Sequence, residues 1–330
     1  MLAAWTPTYG PATLIETRTV RPPEAGPGEV LVDVTASTVS AGDIRLRTAD
    51  FPGALGFIGR LMFGWSAPRK NVQGTMFAGQ VVEVGAGVTR FAPGDAVFGM
   101  VDDGAWAEQV VVKADGPVSH RPPNTTSAEA AALPYGANTA LHFLRDLAKV
   151  QPGERVLVLG GSGGVGRFAI QLARHLGAHV TAVGSARSFS MMQELGADVV
   201  LDYKQTHFAE TGARWDVIFD VAEATDFGEA RTALTAGGRF LTLYMSLRVL
   251  AQMLWTSVRR GQRALFAIAM PSQADMDELA ELLGKGVLTP VLSDRFPLER
   301  IADAHHHAEH NRNASVVVEV ARPRATREIA

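Results

Sequence analysis

The chain has 330 residues, and at about 150 residues per domain two domains are expected, with length enough to bury a core. Lys and Arg number 31 against 34 Asp and Glu, so the formal net charge of −3 gives no field to gather a nucleic-acid backbone or an anionic membrane. With 47% hydrophobic and 20% charged residues the composition excludes a disordered chain, and the absence of cysteine excludes disulfides, thiolate catalysis, iron–sulfur clusters and Cys-ligated zinc.

Met1–Glu16 has neither a basic n-region nor a continuous apolar h-region, so the cytoplasm is the expected location. Up to about Asp115 short apolar strands alternate with Gly and Pro punctuation, as at Glu29–Val34, Gly79–Val84 and Trp106–Val112, which predicts a β-rich domain built from hairpins. From about Pro123 the pattern turns helical: Ser127 can cap a helix through Ala132, and Asn138–Leu147 carries a second apolar stripe. Strand-like runs then recur at Arg155–Leu159, His179–Val183, Val199–Leu201, Val217–Asp220, Arg239–Leu243 and Leu265–Ala269, mostly separated by helical spacing. That alternation predicts a doubly wound parallel sheet. Leu243–Val258 is interrupted by Arg248 and falls short of the roughly 18 apolar residues that span a bilayer, so no transmembrane helix is expected. After Pro290 a strand, a helix over Leu298–Glu309 and the β-branched run Ser315–Val320 follow, and this tail is expected to rejoin the first domain, with Arg322–Ala330 as a loose end.

The strand Val156–Leu159 runs into glycines and then into a helical stretch, Arg167–Leu176. Gly161, Gly163 and Gly166 satisfy G-x-G-x-x-G, whose members give a tight turn, let backbone approach a pyrophosphate and let helix and strand pack closely. Alone the motif is weak, but here it lies between a strand and a helix with another strand following. The expected cofactor-binding residues are therefore Gly161, Ser162, Gly163, Gly164, Val165 and Gly166, at a helix N-terminus whose free amides and dipole suit a phosphate. An NAD site places Asp or Glu about 20 residues beyond the motif. Here Gly184 stands there, followed by Ser185 and by Arg187, a hydroxyl and a guanidinium suited to a 2′-phosphate. NADPH is the cofactor expected; a solvated Arg187 at a helix start is the alternative.

These segments, together with Gly28–Val32, Gly79–Gly85, Arg90–Gly99, Ala130–Pro134, Asn138–Leu141, Leu195–Asp198 and Leu201–Tyr203, resemble the zinc-independent medium-chain dehydrogenase/reductase superfamily in its quinone oxidoreductase-like branch, over nearly the whole chain. The resemblance implies an α/β chain with a GroES-like β-rich partial barrel from residues 1–122 and 288–330, a Rossmann domain over 123–287, and an active-site cleft between them. It implies a homodimer formed through the Rossmann sheet edge near Leu265–Ala269, with Tyr203 beside the adenosine phosphate and Thr139 among the cofactor-binding residues. Zinc-dependent relatives place Cys and a His–Glu pair where Ser40 and Thr75–Met76 stand, so no catalytic metal is expected. The resemblance makes Ser40, where relatives carry Asn, Asp43 and Phe51, where many carry Tyr, pocket residues; Asp43 has an alternative role capping a helix from Ile44. Solvent is the expected proton source.

Tyr244, Met245, Leu250, Met253, Leu254 and Trp255 form an apolar cluster that either covers a hydrophobic substrate or packs in a core or dimer. Tyr135 and Asn138 stand near the domain junction, and Gly53–Lys70 is a candidate substrate loop. His305, His306, His307 and His310 look metal-like, but without a His-Glu-x-x-His order they read as a solvated helix face. The function expected is NADPH-dependent reduction of a small, hydrophobic, electron-poor acceptor, a quinone or an α,β-unsaturated carbonyl. A metal-free NADP-dependent alcohol dehydrogenase and a non-catalytic NADPH sensor are the alternatives.

Overall fold

The computed structural model describes residues 1–50, 59–61, 63–259, 261–311 and 313–320. The hairpin-rich first part gives strands β1 (Leu2–Trp5), β2 (Glu16–Thr19), β3 (Glu29–Val39), β4 (Met76–Val84), β5 (Ala96–Met100), β6 (Gln109–Lys113) and β7 (Val118–His120), with helix α1 (Ala41–Thr48) between β3 and β4. β6 starts later than its apolar run predicts. Trp106 pairs elsewhere, its backbone N–H donating to Gln73 O at 3.0 Å and its O accepting from Ala4 N at 2.8 Å.

Thr126, not Ser127, caps α2 (Ser127–Ala131), in a reciprocal box with Glu129. α3 (Pro134–Leu141) begins on Pro134, where a missing N–H costs nothing, and continues as a π-helical stretch over His142–Leu147. Then come β8 (Arg155–Leu159), α4 (Gly166–His175), β9 (His179–Gly184), α5 (Phe189–Glu194), β10 (Val199–Asp202), β11 (Trp215–Asp220), α6 (Phe227–Ala233), β12 (Leu234–Thr242), α7 (Leu247–Ser257), β13 (Arg263–Leu265) and α8 (Gln273–Gly284). Val156–Leu159 are all buried, as a strand covered on both faces requires. The six strands are parallel in the order β10-β9-β8-β11-β12-β13, so the order reverses between β8 and β11, and a crevice opens at their carboxyl ends. The edge strand β13 ends at Leu265, where the predicted run Leu265–Ala269 begins, because its partner β12 ends one residue beyond the Leu241–Leu265 pair.

The tail supplies β14 (Leu292–Pro297), α9 (Ile301–His310) and β15 (Ser315–Glu319). β15 lies antiparallel to β3, Val316 opposite Val39, and parallel to β14, which closes a seven-stranded sheet in the order β14-β15-β3-β4-β5-β7 with β6 also paired to β3. The tail thus rejoins the first lobe, as the sequence predicts; Ala321–Ala330 lie outside the described residues. A single apolar cluster runs from Ala36, Ala78 and Phe98 of this sheet through Leu133 and Ala137 to Val156, Val158 and Phe219 of the parallel sheet. The two lobes therefore share buried surface.

The apolar face of α9, Ile301, Ala304 and Ala308, packs on the first sheet and carries His305 inward with it. His305 is not on a solvated face: it is fully buried, its ring meets Trp106 edge-on with centroids 4.6 Å apart, and neither nitrogen has a partner among the described residues. Burial first, and the Arg47 guanidinium second, push its pKa down to about 3. The unfolded chain takes up a proton there below about pH 6.5 whereas the folded chain does not, so this group's contribution to stability is lost as pH falls from about 6.5 toward 3, at up to about 1.4 kcal/mol per unit. His305→Phe is expected to flatten that part of the acid limb in urea-unfolding midpoints; an unchanged pH slope contradicts the assignment.

Candidate active site and dinucleotide cradle

β8 ends at Leu159, and Gly160 turns the chain with φ 86, a left-handed conformation that favours glycine. The tight turn thus falls one residue before the three spaced glycines of the motif. A side chain on Gly166 would overlap the Gly160 carbonyl oxygen, and one on Gly161 would stand 2.9 Å from Met192 Sδ, so both glycines serve close packing. A Cβ on Gly164 meets nothing within 4 Å. No side chain caps α4, and the amides of Ser162, Gly164, Val165 and Gly166 have no hydrogen-bond acceptor among the described residues. Four unpaired donors at the positive end of a buried helix make a site for a phosphate. Tyr135 O accepts the Thr139 hydroxyl at 2.8 Å on α3, whose Gly136 faces Gly164 O and Phe168 across the loop.

At the end of β9, Gly184 packs on the Met192 thioether, where an added Cβ would stand 2.8 Å from its terminal carbon, and it brings no acidic side chain to this strand end. Ser185 Oγ lies 3.4 Å from Ser188 Oγ, and Arg187 is exposed with no carboxylate partner among the described residues. Tyr203, 60% exposed, joins them because its backbone N–H donates to Gly184 O at 3.3 Å. The structure therefore brings Ser185, Arg187 and Tyr203 to one strand end. It adds Lys204, whose ammonium lies 6.0 Å from the Tyr203 ring centre, a second cation that its neighbour Tyr203 could have signalled. Gly166→Ala is expected to cost about 1–3 kcal/mol of stability by overpacking, and Gly164→Ala less than about 0.5 kcal/mol, in urea unfolding without ligand. Equal losses would contradict this division of roles.

At the other end of the crevice, Ser40 is the cap of α1. Ser40 N–H and Oγ donate to Asp43 Oδ2 at 2.8 and 2.6 Å, and Thr75 Oγ1 donates to Asp43 Oδ1 at 2.9 Å. The helix begins at Ala41 rather than Ile44, with Asp43 closing a capping box from its third position. Burial raises the Asp43 pKa against these hydrogen bonds. Both of its oxygens are engaged, so Asp43 fixes the pocket wall. Phe51 and most of the Gly53–Lys70 segment's start lie outside the described residues.

Asp220, fully buried at the end of β11, accepts from the backbone N–H groups of Ala222, Ala224 and Thr225 at 3.0, 3.1 and 3.2 Å and so fixes the loop that presses on Gly160. Its pKa is raised by burial and drawn back by these donors. Tyr244 belongs to the next strand end, its hydroxyl donating to Val221 O at 3.2 Å. From α1, Arg45 reaches across to place its guanidinium 5.5 Å from the Tyr244 ring centre. Asp220 and Arg45 are functional candidates that the sequence reading missed. Asp220 had a signal, an acidic residue ending an otherwise apolar strand; Arg45 had none, since its reach depends on the fold.

Thr75 and Met76 are buried, the thioether accepting from Thr38 Oγ1 at 3.6 Å. Among the described residues, one group of His and Glu is near enough to share a cation: His306, Glu309 and His310 on α9, with ligand atoms within 4.8 Å of one another. Glu309 does stand between the two histidines, but its carboxylate is ion-paired to buried Arg47. Of the apolar cluster after β12, Met253 packs inward, whereas Leu254 is 72% exposed and Leu250 and Trp255 are about half out. It is not core within one chain. Among the described residues no helix is long and apolar enough to cross a membrane.

The alcohol dehydrogenase GroES-like domain family matches residues 26–122, and the zinc-binding dehydrogenase family matches residues 195–318. The mitochondrial NAD(P)H oxidoreductase RTN4IP1 of Homo sapiens is 33% identical over 326 residues, covering 88% of this chain and 82% of that one. The chloroplastic quinone-oxidoreductase QR1 of Triphysaria versicolor is 29% identical, covering 86% of each chain. The fold is that of the quinone oxidoreductase from Coxiella burnetii, with a TM-score of 0.84 at 24% identity over 97% of this chain and 99% of that one. Similarity of this extent, on a phosphate cradle placed at the switch point of the sheet, means that the chain belongs to the medium-chain dehydrogenase/reductase superfamily, among its quinone oxidoreductase-like, NAD(P)H-dependent oxidoreductases.

Proposed function

We propose that this protein is an NADPH-dependent reductase of quinones or α,β-unsaturated carbonyls that works without a metal. The observation that carries the cofactor choice is the end of β9, where Gly184 bears no acidic side chain, Arg187 stands exposed three residues on, and Lys204 lies beside the Tyr203 ring. A cation pair and the Ser185 hydroxyl suit a 2′-phosphate, as an acidic residue would suit a bare ribose. The residues present fit the rest of the cofactor: the amides of Ser162, Gly164, Val165 and Gly166 would hold the pyrophosphate, and the loop fixed by Asp220 would border it.

When bound, the reduced nicotinamide supplies a hydride to an electron-poor carbon. The chain's own part is orientation and exclusion of water. Asp43 is fully hydrogen-bonded and the Tyr244 hydroxyl is committed to Val221 O, so neither is free to donate a proton, which supports solvent as its source. The metal-free reading rests on Ser40, Thr75 and Met76, which offer two hydroxyls and a thioether where a catalytic zinc would take thiolate, imidazole and carboxylate. The homodimer reading rests on the exposed apolar side chains of α7 and its C-terminal cap beside the sheet edge, Leu247 and Leu254 on the helix and Val258 just after it. Leu254→Glu is expected to shift the protein from dimer to monomer in analytical ultracentrifugation; a wild type already monomeric at micromolar concentration contradicts the dimer.

NADPH oxidation with a panel of quinones and enones, unaffected by chelators, tests the activity. Alcohol-dependent NADP reduction would favour a dehydrogenase, and tight NADPH binding with no turnover of any acceptor would favour a sensor. Arg187→Ala is expected to raise KM for NADPH about 10-fold or more while leaving KM for NADH within about twofold. Equal effects on both cofactors would contradict the phosphate role.

A further inference from the structure

We infer that Arg45 is the oxyanion-holding residue of the acceptor site, so that this cleft takes substrates whose reduction places negative charge on a carbonyl oxygen. The inference rests on the reductase reading above and deepens it. α1 carries two arginines that face different surroundings. Arg47 is buried, bonded to Gly10 O and ion-paired with Glu309. Arg45 is only half-buried and has no carboxylate at ion-pairing distance among the described residues. Asp43, its acidic neighbour on the helix, has both oxygens taken by Ser40 and Thr75.

What surrounds the Arg45 guanidinium is aromatic and hydroxylic. It lies 5.5 Å from the Tyr244 ring centre, and it is the cation that opposes the burial-driven rise of both the Tyr244 and Tyr135 phenols. Tyr135 in turn packs against Gly42, where an added Cβ would come within 3.0 Å of its ring. Arg45 therefore projects from the first lobe to the carboxyl end of β12, across the mouth of the crevice in which a cofactor's reactive end would lie. A partly desolvated cation without a counter-charge is costly unless a ligand brings one.

The acceptor brings it during reaction. An enone that receives a hydride at its β-carbon, with NADPH oxidised to NADP, breaks its C=C π bond and moves that electron pair through the α-carbon onto the carbonyl oxygen as an enolate. A proton from water then adds at the α-carbon, so that two electrons, one hydride and one proton are accounted for. In a quinone the same hydride leaves a phenolate that water protonates. Guanidinium N–H groups aimed at that oxygen bind it more tightly as its charge grows, which lowers the barrier rather than merely binding substrate.

Arg45→Met, Arg45→Lys and the wild type are compared in three measurements: steady-state turnover with an enone and a quinone, NADPH affinity by fluorescence titration, and the ionisation of added p-nitrophenol, read by its phenolate absorbance. Expected for Arg45→Met is a fall in kcat of about 100-fold with NADPH affinity within about twofold, and partial recovery in Arg45→Lys. The phenolate fraction of bound p-nitrophenol should also drop in Arg45→Met. Turnover within about threefold of wild type, or unchanged nitrophenol ionisation, overturns the role of Arg45 while leaving the reductase reading intact. A wild type that reduces no acceptor overturns the reductase reading and this inference with it.

Discussion

Gly166 touches the backbone of Gly160, and this contact sets the geometry of everything that the protein holds at its centre. With no side chain between them, helix α4 starts directly on the end of strand β8, and its first amides open into the crevice where the strand order reverses. The same turn leans on Val221 and Ala222, so the loop after β11 is placed by the glycine turn from one side and by the Asp220 carboxylate from the other. A phosphate site made of backbone dipoles needs such rigidity, because the donors cannot adjust as side chains do.

Buried polar groups perform the remaining assembly. Arg167, one residue into α4, is buried without a carboxylate; it donates to Val291 O and Asn313 O at 3.0 and 2.7 Å, and burial draws its pKa down to about 10, still charged at neutral pH. One turn on, Gln171 exchanges hydrogen bonds with the Thr289 backbone. One face of α4 thus ties the parallel sheet to the returning tail while its N-terminus opens into the cleft. Removing either side chain would take a hydrogen-bond partner from buried backbone carbonyls or amides, which is expensive.

Much of this was legible in the residues. The parallel sheet followed from alternating apolar runs, and the cradle from glycines between strand and helix, because both depend on local spacing. Ser185, Arg187 and Tyr203 are legible as neighbours because they follow the ends of adjacent strands, β9 and β10. The capping box at Ser40 and Asp43 is half legible: Asp43 signals a cap, but as the cap itself it predicts a helix from Ile44, three positions after the observed start at Ala41, because Ser40 holds the capping position. His305 is not legible as a buried residue because four histidines in six residues look polar as a group, whereas the helix turns one of them onto Trp106. Arg45 was invisible, since nothing local distinguishes it from Arg47; only the approach of Tyr244 from a strand end some 200 residues away does so.

The first lobe is sewn together from the two extremities of the polypeptide. β3 receives β15 alongside Ala36–Val39 only after the whole parallel sheet has been translated. Until then that margin of β3 offers bare amides and carbonyls to any passing strand. The nucleotide-binding half can mature on the ribosome first, whereas the N-terminal half must wait, and that interval is when a growing chain is most exposed to mispairing with its neighbours.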